Sequence, residues 1–124
     1  MNGFAGLIGA YGLQWEESRG DQMDVRFTRE GNSLVVVIDG EIDHHTASRV
    51  RERIDSKFLM EPVKNMIIDM SRVTFMDSAG IGLILGRMSR VSCIGGKMTL
   101  RKPKPEIKRI LKMSKIESII EQDA

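Results

Sequence analysis

A single cysteine leaves the chain no partner for a disulfide and no thiolate pair for a zinc site. Cys93 therefore suits a reducing compartment, and a cytoplasmic location is expected. Aromatic residues make up only 5% of the chain, one Trp, one Tyr and four Phe. That is too few stacking surfaces for a platform that binds single-stranded nucleic acid. No apolar run approaches the about 20 residues that cross a bilayer. The Gly- and Ala-rich stretch Met1–Leu13 has no basic residue before it, so it does not read as a secretory signal.

What is present describes one ordinary domain. The 124 residues are 41% hydrophobic and 29% charged, enough for one core without metals or cross-links. Net charge is only +2 but is unevenly placed: residues 1–86 carry 9 basic and 13 acidic side chains, and residues 87–124 carry 10 and 4. Residues 1–22 are expected to be a disordered extension, or an upstream start outside the domain, which begins near Met23 and runs through residue 124. No internal repeat interrupts that domain.

From Met23 the hydrophobic pattern becomes regular. Val25 and Phe27 alternate with Arg26 and Thr28 as in a half-buried strand. The turn cluster Glu30-Gly31-Asn32-Ser33 leads into Leu34–Ile38, a continuous apolar run that predicts a central strand covered on both faces. Ala47, Val50, Ile54 and Phe58 then recur at helical spacing, with Thr46 placed as the N-cap and Arg49, Arg51 and Arg53 on or beside the exposed face. After Pro62, Met66–Met70 predicts a buried strand that ends in polar turn residues. Ile81, Ile84, Leu85, Met88 and Val91 predict a second helix, stopped by Gly95-Gly96. Met98–Leu100 predicts a strand, Ile107, Ile110 and Leu111 a third helix after Pro105, and Ile119-Ile120 a last short strand. The result is an α/β fold in the order β-β-α-β-α-β-α-(β), helices packed on a small mixed sheet.

The sharpest local feature is Phe75-Met76-Asp77-Ser78-Ala79-Gly80-Ile81-Gly82, where a strand gives way to a helix. Gly80 and Gly82 are poor residues for a first helical turn and ask for a reason. One reading has Asp77 and Ser78 capping the helix while the glycines admit tight packing on the sheet. The other has the Ser78 hydroxyl exposed at the helix start and presented to a partner or a kinase. A nucleophile elbow is excluded because Met76 stands where its first glycine belongs. Gly95-Gly96-Lys97-Met98 lacks the Ser/Thr and upstream spacing of a phosphate loop.

A second constellation is Gly40-Glu41-Ile42-Asp43-His44-His45-Thr46. Adjacent histidines rarely converge on one ion, and no third-ligand motif accompanies them, so no metal and no cofactor are expected. The stretch reads as a polar loop, capped by Asp43 or Thr46, that is able to recognise a partner. The basic segment from Arg87 to Lys115 reads as the solvated face of two helices. No groove-reading helix or aromatic array comes with it, and no direct nucleic-acid or membrane partner is expected.

These residues resemble the STAS domain of anti-sigma factor antagonists over about Met23 to Glu121. The carrying segments are Leu34–Gly40, Glu41–Ala47, Val73–Gly82 and Gly95–Met98, and the Asp43–Thr46 stretch resembles the sporulation type of the sigma-F pathway. The resemblance implies a protein without catalytic activity. Its unphosphorylated form would bind an anti-sigma factor that is also an ATP-dependent serine kinase, and so release the sigma factor. Phosphorylation would fall on Ser78, and a PP2C-type phosphatase would restore the active form. Asp77, Ala79, Gly80, Ile81 and Gly82 match the motif around the phosphoacceptor, and Asp43, His44, His45 and Thr46 match a loop near it that contributes to the kinase contact.

Two departures from the pattern are the extension at residues 1–22 and an end soon after Ile119-Ile120, without the usual last helix. A STAS module in a stress-signalling scaffold or other regulator, without a sporulation role, is the alternative function.

Overall fold

A computed structural model of the chain describes residues 23–121; the expectations for residues 1–22 lie outside the described residues. The order is β1 (Met23–Glu30), β2 (Ser33–Ile42), α1 (Ala47–Met60), β3 (Asn65–Met76), α2 (Ser78–Cys93), β4 (Met98–Arg101) and α3 (Pro105–Met113), with a 3-10 turn at Glu117–Ile119. The strands form one sheet ordered β1-β2-β3-β4. β1 and β2 are an antiparallel hairpin, and β2–β3 and β3–β4 are parallel pairs joined through α1 and α2. Gly31 takes a φ of 58° in the two-residue hairpin loop, where a primed turn needs the left-handed region. The last strand shrinks to one parallel bridge, Leu100 to Ile120.

All three helices pack on the same face. Val25, Leu34, Val36, Ile38, Met66 and Ile68 of the sheet share one buried cluster with Val50 and Ile54 of α1, Leu83, Ile84 and Val91 of α2, and Ile107 and Leu111 of α3. Leu34–Ile38 is covered on both faces as expected, with Val35 only 3% exposed on the face that carries no helix. On that face, Arg101 of β4 reaches across to Glu30 of β1 with two hydrogen bonds of 3.1 Å, and to Glu121 at 3.0 Å. Register places this charged strap across the rows holding Val35, which is buried, and Val37, which is half-buried. Ion-paired side chains with long aliphatic stems can cover apolar strand residues without a second helical layer.

The expected turn after Met70 is absent. β3 runs on to Met76 because it absorbs extra residues in two bulges: Val37 and Asp39 of β2 face Asp69 and Arg72, and Gly40 and Glu41 face Val73 and Phe75. Asp69 stabilises the first bulge by accepting hydrogen bonds from the Ser71 N–H at 2.9 Å and the Ser71 hydroxyl at 2.7 Å. The polar pair Ser71-Arg72 is a bulge signal as much as a turn signal. The second helix is also rotated from its expected face: Gly80, Leu83, Ile84, Arg87 and Val91 are buried, whereas Leu85 is 45% exposed.

Candidate functional site

The C-terminal ends of the parallel strands β2 and β3 lie side by side, so the loops that follow them meet. Ile42 ends β2 and pairs with Met76, and the Asp77 N–H donates to the Ile42 carbonyl at 3.2 Å. The crevice beyond the carboxyl ends of parallel strands is where α/β folds place their sites. Here it brings Asp43–Thr46 against Asp77–Gly82, two stretches that the sequence marks separately.

Each loop is locked by a carboxylate. Asp43 Oδ1 accepts from the backbone N–H of His45 at 2.8 Å and of Thr46 at 3.1 Å, while Thr46 Oγ1 accepts from the Asp43 N–H at 3.0 Å. This is the reciprocal pairing of a capping box, one turn before α1 proper. Thr46 stands at the N-cap of α1 as expected, but its side chain makes no capping bond to the helix. Its hydroxyl donates to the Glu41 carbonyl at 2.9 Å, leaving Asp43 to cap the preceding turn. The His45 N–H holds the Asp43 carboxyl below the usual carboxylate range, and the Thr46 donors add to it against a smaller opposing effect of burial.

Asp77 is the N-cap of α2. Its Oδ1 accepts from the Ala79 N–H at 2.8 Å, as helix starts favour. Its Oδ2 reaches the other loop, 3.2 Å from the His44 backbone N–H and 3.4 Å from His44 Nδ1. Burial alone would raise the Asp77 pKa, but the hydrogen bonds from Ala79 and then His44 outweigh it and the net shift is downward. A single carboxylate thereby starts α2 and fastens the His44 loop to it. The His44 and His45 rings lie against each other, centroids 4.0 Å apart and tilted by 39°.

Ser78 is the first residue of α2 and is exposed. Among the described residues no hydrogen bond joins its hydroxyl to His44 or His45, so the Ser–His–Asp arrangement that can be composed from these loops is not assembled. His44, His45 and Gly82 are exposed, and Asp43, Asp77, Ala79 and Ile81 are half-buried. Thr46 and Gly80 are buried; they shape the surface from beneath. A Cβ at Gly80 would overlap the Met76 side chain, whereas one at Gly82 would meet nothing within 4 Å. Tight packing thus accounts for the first glycine and not for the second. Among the described residues no three His, Cys, Asp or Glu side chains cluster as a metal site. No helix among them is long and apolar enough to cross a membrane.

Two exposed apolar residues beside Ser78 escape a sequence reading. Phe75 is 48% exposed at the end of β3, and Leu85 shares the outward face of α2 with Ser78 and Gly82. The signal for Leu85 is its spacing, three and seven residues along from Gly82 and Ser78, which makes one outward helix face only if the buried stripe is centred on Gly80 and Ile84.

The STAS domain family matches residues 24–123. The anti-sigma F factor antagonist of Paenibacillus polymyxa is 36% identical over 81 residues, covering 65% of this chain and 69% of the relative. That of Lysinibacillus sphaericus is 33% identical over 87 residues, 70% of this chain and 73% of the relative. The solved structure of the anti-sigma factor antagonist SpoIIAA in its unphosphorylated form superposes with a TM-score of 0.72 at 26% identity, over 82% of this chain and 89% of that one. The same protein from Bacillus in its phosphorylated form gives a TM-score of 0.65 at 26% identity, over 82% and 92%. With its mixed four-stranded sheet, its three helices on one face and these matches, the chain belongs to the STAS-domain family of anti-sigma factor antagonists.

Proposed function

We propose that this chain is a phosphorylation-switched binding module of the cytoplasm. Its unphosphorylated form binds an anti-sigma factor with serine kinase activity and so frees a sigma factor, as in the sporulation sigma-F pathway. The kinase transfers the γ-phosphoryl group of ATP to Ser78 Oγ, leaving ADP, and a PP2C-type phosphatase hydrolyses the ester to restore the active form. The chain itself catalyses neither step. The observation that carries this reading is the placement of Ser78: exposed, first in α2, and flanked by the Asp77 cap that ties in the His44 loop. The relative solved in both unphosphorylated and phosphorylated forms supports it.

The chemistry is consistent with a switch that acts at the surface. A phosphate adds about −1.5 to −2 charges at neutral pH. The positive end of the α2 dipole favours that charge, and the Asp77 carboxylate beside it opposes it. The two effects act inside the domain in opposite directions, so the fold changes little. A partner pressed onto Ser78, by contrast, must desolvate the dianion, a cost with no internal compensation. Docking is what phosphorylation weakens.

The test is incubation with the anti-sigma F factor that the Paenibacillus polymyxa relative antagonises and ATP, followed by peptide mass mapping. Phosphate is expected on the peptide that contains Ser78 and absent from Ser78→Ala; phosphate persisting in that variant overturns the assignment. Ser78→Asp is expected to keep the fold by circular dichroism and to weaken kinase binding, and equal affinity by calorimetry contradicts the charge mechanism.

A further inference from the structure

We propose that the groove between α1 and α2 is a docking site for an acidic segment of the protein partner, with Arg51 as its anchoring charge. This rests on the binding reading above and names the chemistry the partner brings. The groove has a volume of about 460 Å³ and opens at one end beside His44 and Ala79, next to Ser78. Its floor is built from small residues, Ala47 and Ser48 on α1 and Gly82 and Gly86 on α2. Arg51 and Arg87 stand at the far end. Ala79 and Arg87 are eight residues apart on α2, about 12 Å along its axis, which suits a length of peptide better than a small anion.

The two glycines point to an occupant. Each costs about 1 kcal/mol in a helix relative to Ala. A Cβ at Gly82 or Gly86 would meet nothing within 4 Å, so no packing inside the domain requires either. What their missing side chains provide is room for another backbone.

The charges say what kind. Arg87 has a side chain only 6% exposed, with Nε 2.9 Å from Asp55 Oδ1, yet that N–H is not aligned for a hydrogen bond and is left buried without one. Its other contact, Nη1 to the Leu83 carbonyl, is long at 3.5 Å. A guanidinium has five N–H donors, so the Asp55 ion pair and one long bond to Leu83 leave Arg87 with donors to spare at the end of the groove. Asp55 is shared further with Arg90, at 3.8 Å. Burial, and after it the nearby charges of Arg90 and Arg51, work against the charged form of Arg87, with Asp55 opposing them. Two guanidiniums thus share one carboxylate, and the charge of Arg51, exposed in the lining of the groove, acts on Arg87 without any such partner among the described ion pairs. A carboxylate arriving on a partner completes the set.

The experiment titrates the isotope-labelled full chain with the anti-sigma F factor that the Paenibacillus polymyxa relative antagonises, by NMR and calorimetry. The Gly82 and Gly86 amides and the Arg51 Nε–H are expected to shift together with Ser78. Arg51→Glu is expected to weaken binding by about tenfold or more, and Arg51→Lys by less than about threefold, since charge rather than fork geometry dominates at an exposed site. If Ser78→Asp loses binding while Arg51→Glu keeps it, the groove is overturned and the switch stands. If the wild-type chain does not bind, the switch reading fails for that partner, and an acetylated Ala/Glu helical peptide decides the groove. Shifts at Gly82 and Gly86 that vanish in Arg51→Glu support it, and their absence overturns it.

Discussion

At the scale of single residues, the two glycines of the Asp77–Gly82 stretch do different work, and substitution separates them. Gly80 is buried against Met76, so Gly80→Ala forces the Met76 side chain to move within a packed core. Overpacking of this kind costs about 1–3 kcal/mol. Gly82 faces open space, and Gly82→Ala removes the backbone freedom of an exposed helical glycine at no steric expense. It is expected to stabilise the domain by about 0.5–1 kcal/mol. Urea melts of both variants check this: Gly80→Ala should lower the midpoint and Gly82→Ala raise it. A Gly82→Ala variant that melts earlier than wild type contradicts the open geometry. If the stabilised variant also binds its partner less well, the glycine is kept for docking at the expense of stability, a trade common at functional sites.

Among the elements, α2 links the site to the core through a pair that no hydrophobic pattern displays. Arg87 sits in the buried stripe between Ile84 and Val91 and meets Asp55 on α1. Removing the carboxylate leaves a buried cation beside Arg90 and Arg51, whereas replacing the arginine with an apolar side chain of similar length leaves a carboxylate, 24% exposed, that water can reach. Asp55→Ala is therefore expected to destabilise by about 2–4 kcal/mol and Arg87→Met by clearly less. Thermal unfolding of the two single variants and the double variant tests the order. This pair also explains which parts of the fold could be read from sequence. The element order follows from periodicity, and the Ser78 site from a local run of capping residues and glycines. The face of α2 does not follow, because Leu85 is as apolar as Ile84, and the buried stripe includes Arg87, paired with Asp55, and Gly80, packed on Met76, neither of which a hydrophobic pattern marks. The length of β3 does not follow either: bulges at Ser71 and Thr74 look like loop chemistry until a neighbouring strand supplies the register. Likewise the joining of Asp43–Thr46 to Asp77–Gly82 depends on β2 and β3 being adjacent and parallel. Local sequence marks the two stretches and topology brings them together.

Across the whole molecule, carboxylates set the response to acid, and they do so at opposite ends of the sheet. Asp43 and Asp77 hold the loops beyond the ends of β2 and β3, while Glu30 anchors the strap that crosses the helix-free face from β4 to β1. The Arg101 hydrogen bonds, with its charge, hold Glu30 below the ordinary carboxylate range, and Asp43 and Asp77 are shifted the same way by their own donors. A depressed folded pKa means that the unfolded chain binds the proton more readily. The stability these groups contribute is thus fully present above the unfolded values near about 4 and is lost as pH falls through the lower folded ones. The urea midpoint is expected to be flat in its carboxylate-dependent part from neutral pH to about 5.5 and to decline below about 4.5. Asp77→Asn and Glu30→Gln should each lower the neutral midpoint and flatten the acid limb, because neither variant then has that proton to gain. An acid limb unchanged in both variants would show that these carboxylates are not what the fold loses in acid. The two variants also part company on function. Glu30 lies on the strap, away from Ser78, so Glu30→Gln should leave partner binding intact, while Asp77→Asn loosens the His44 loop and the start of α2 and should weaken it.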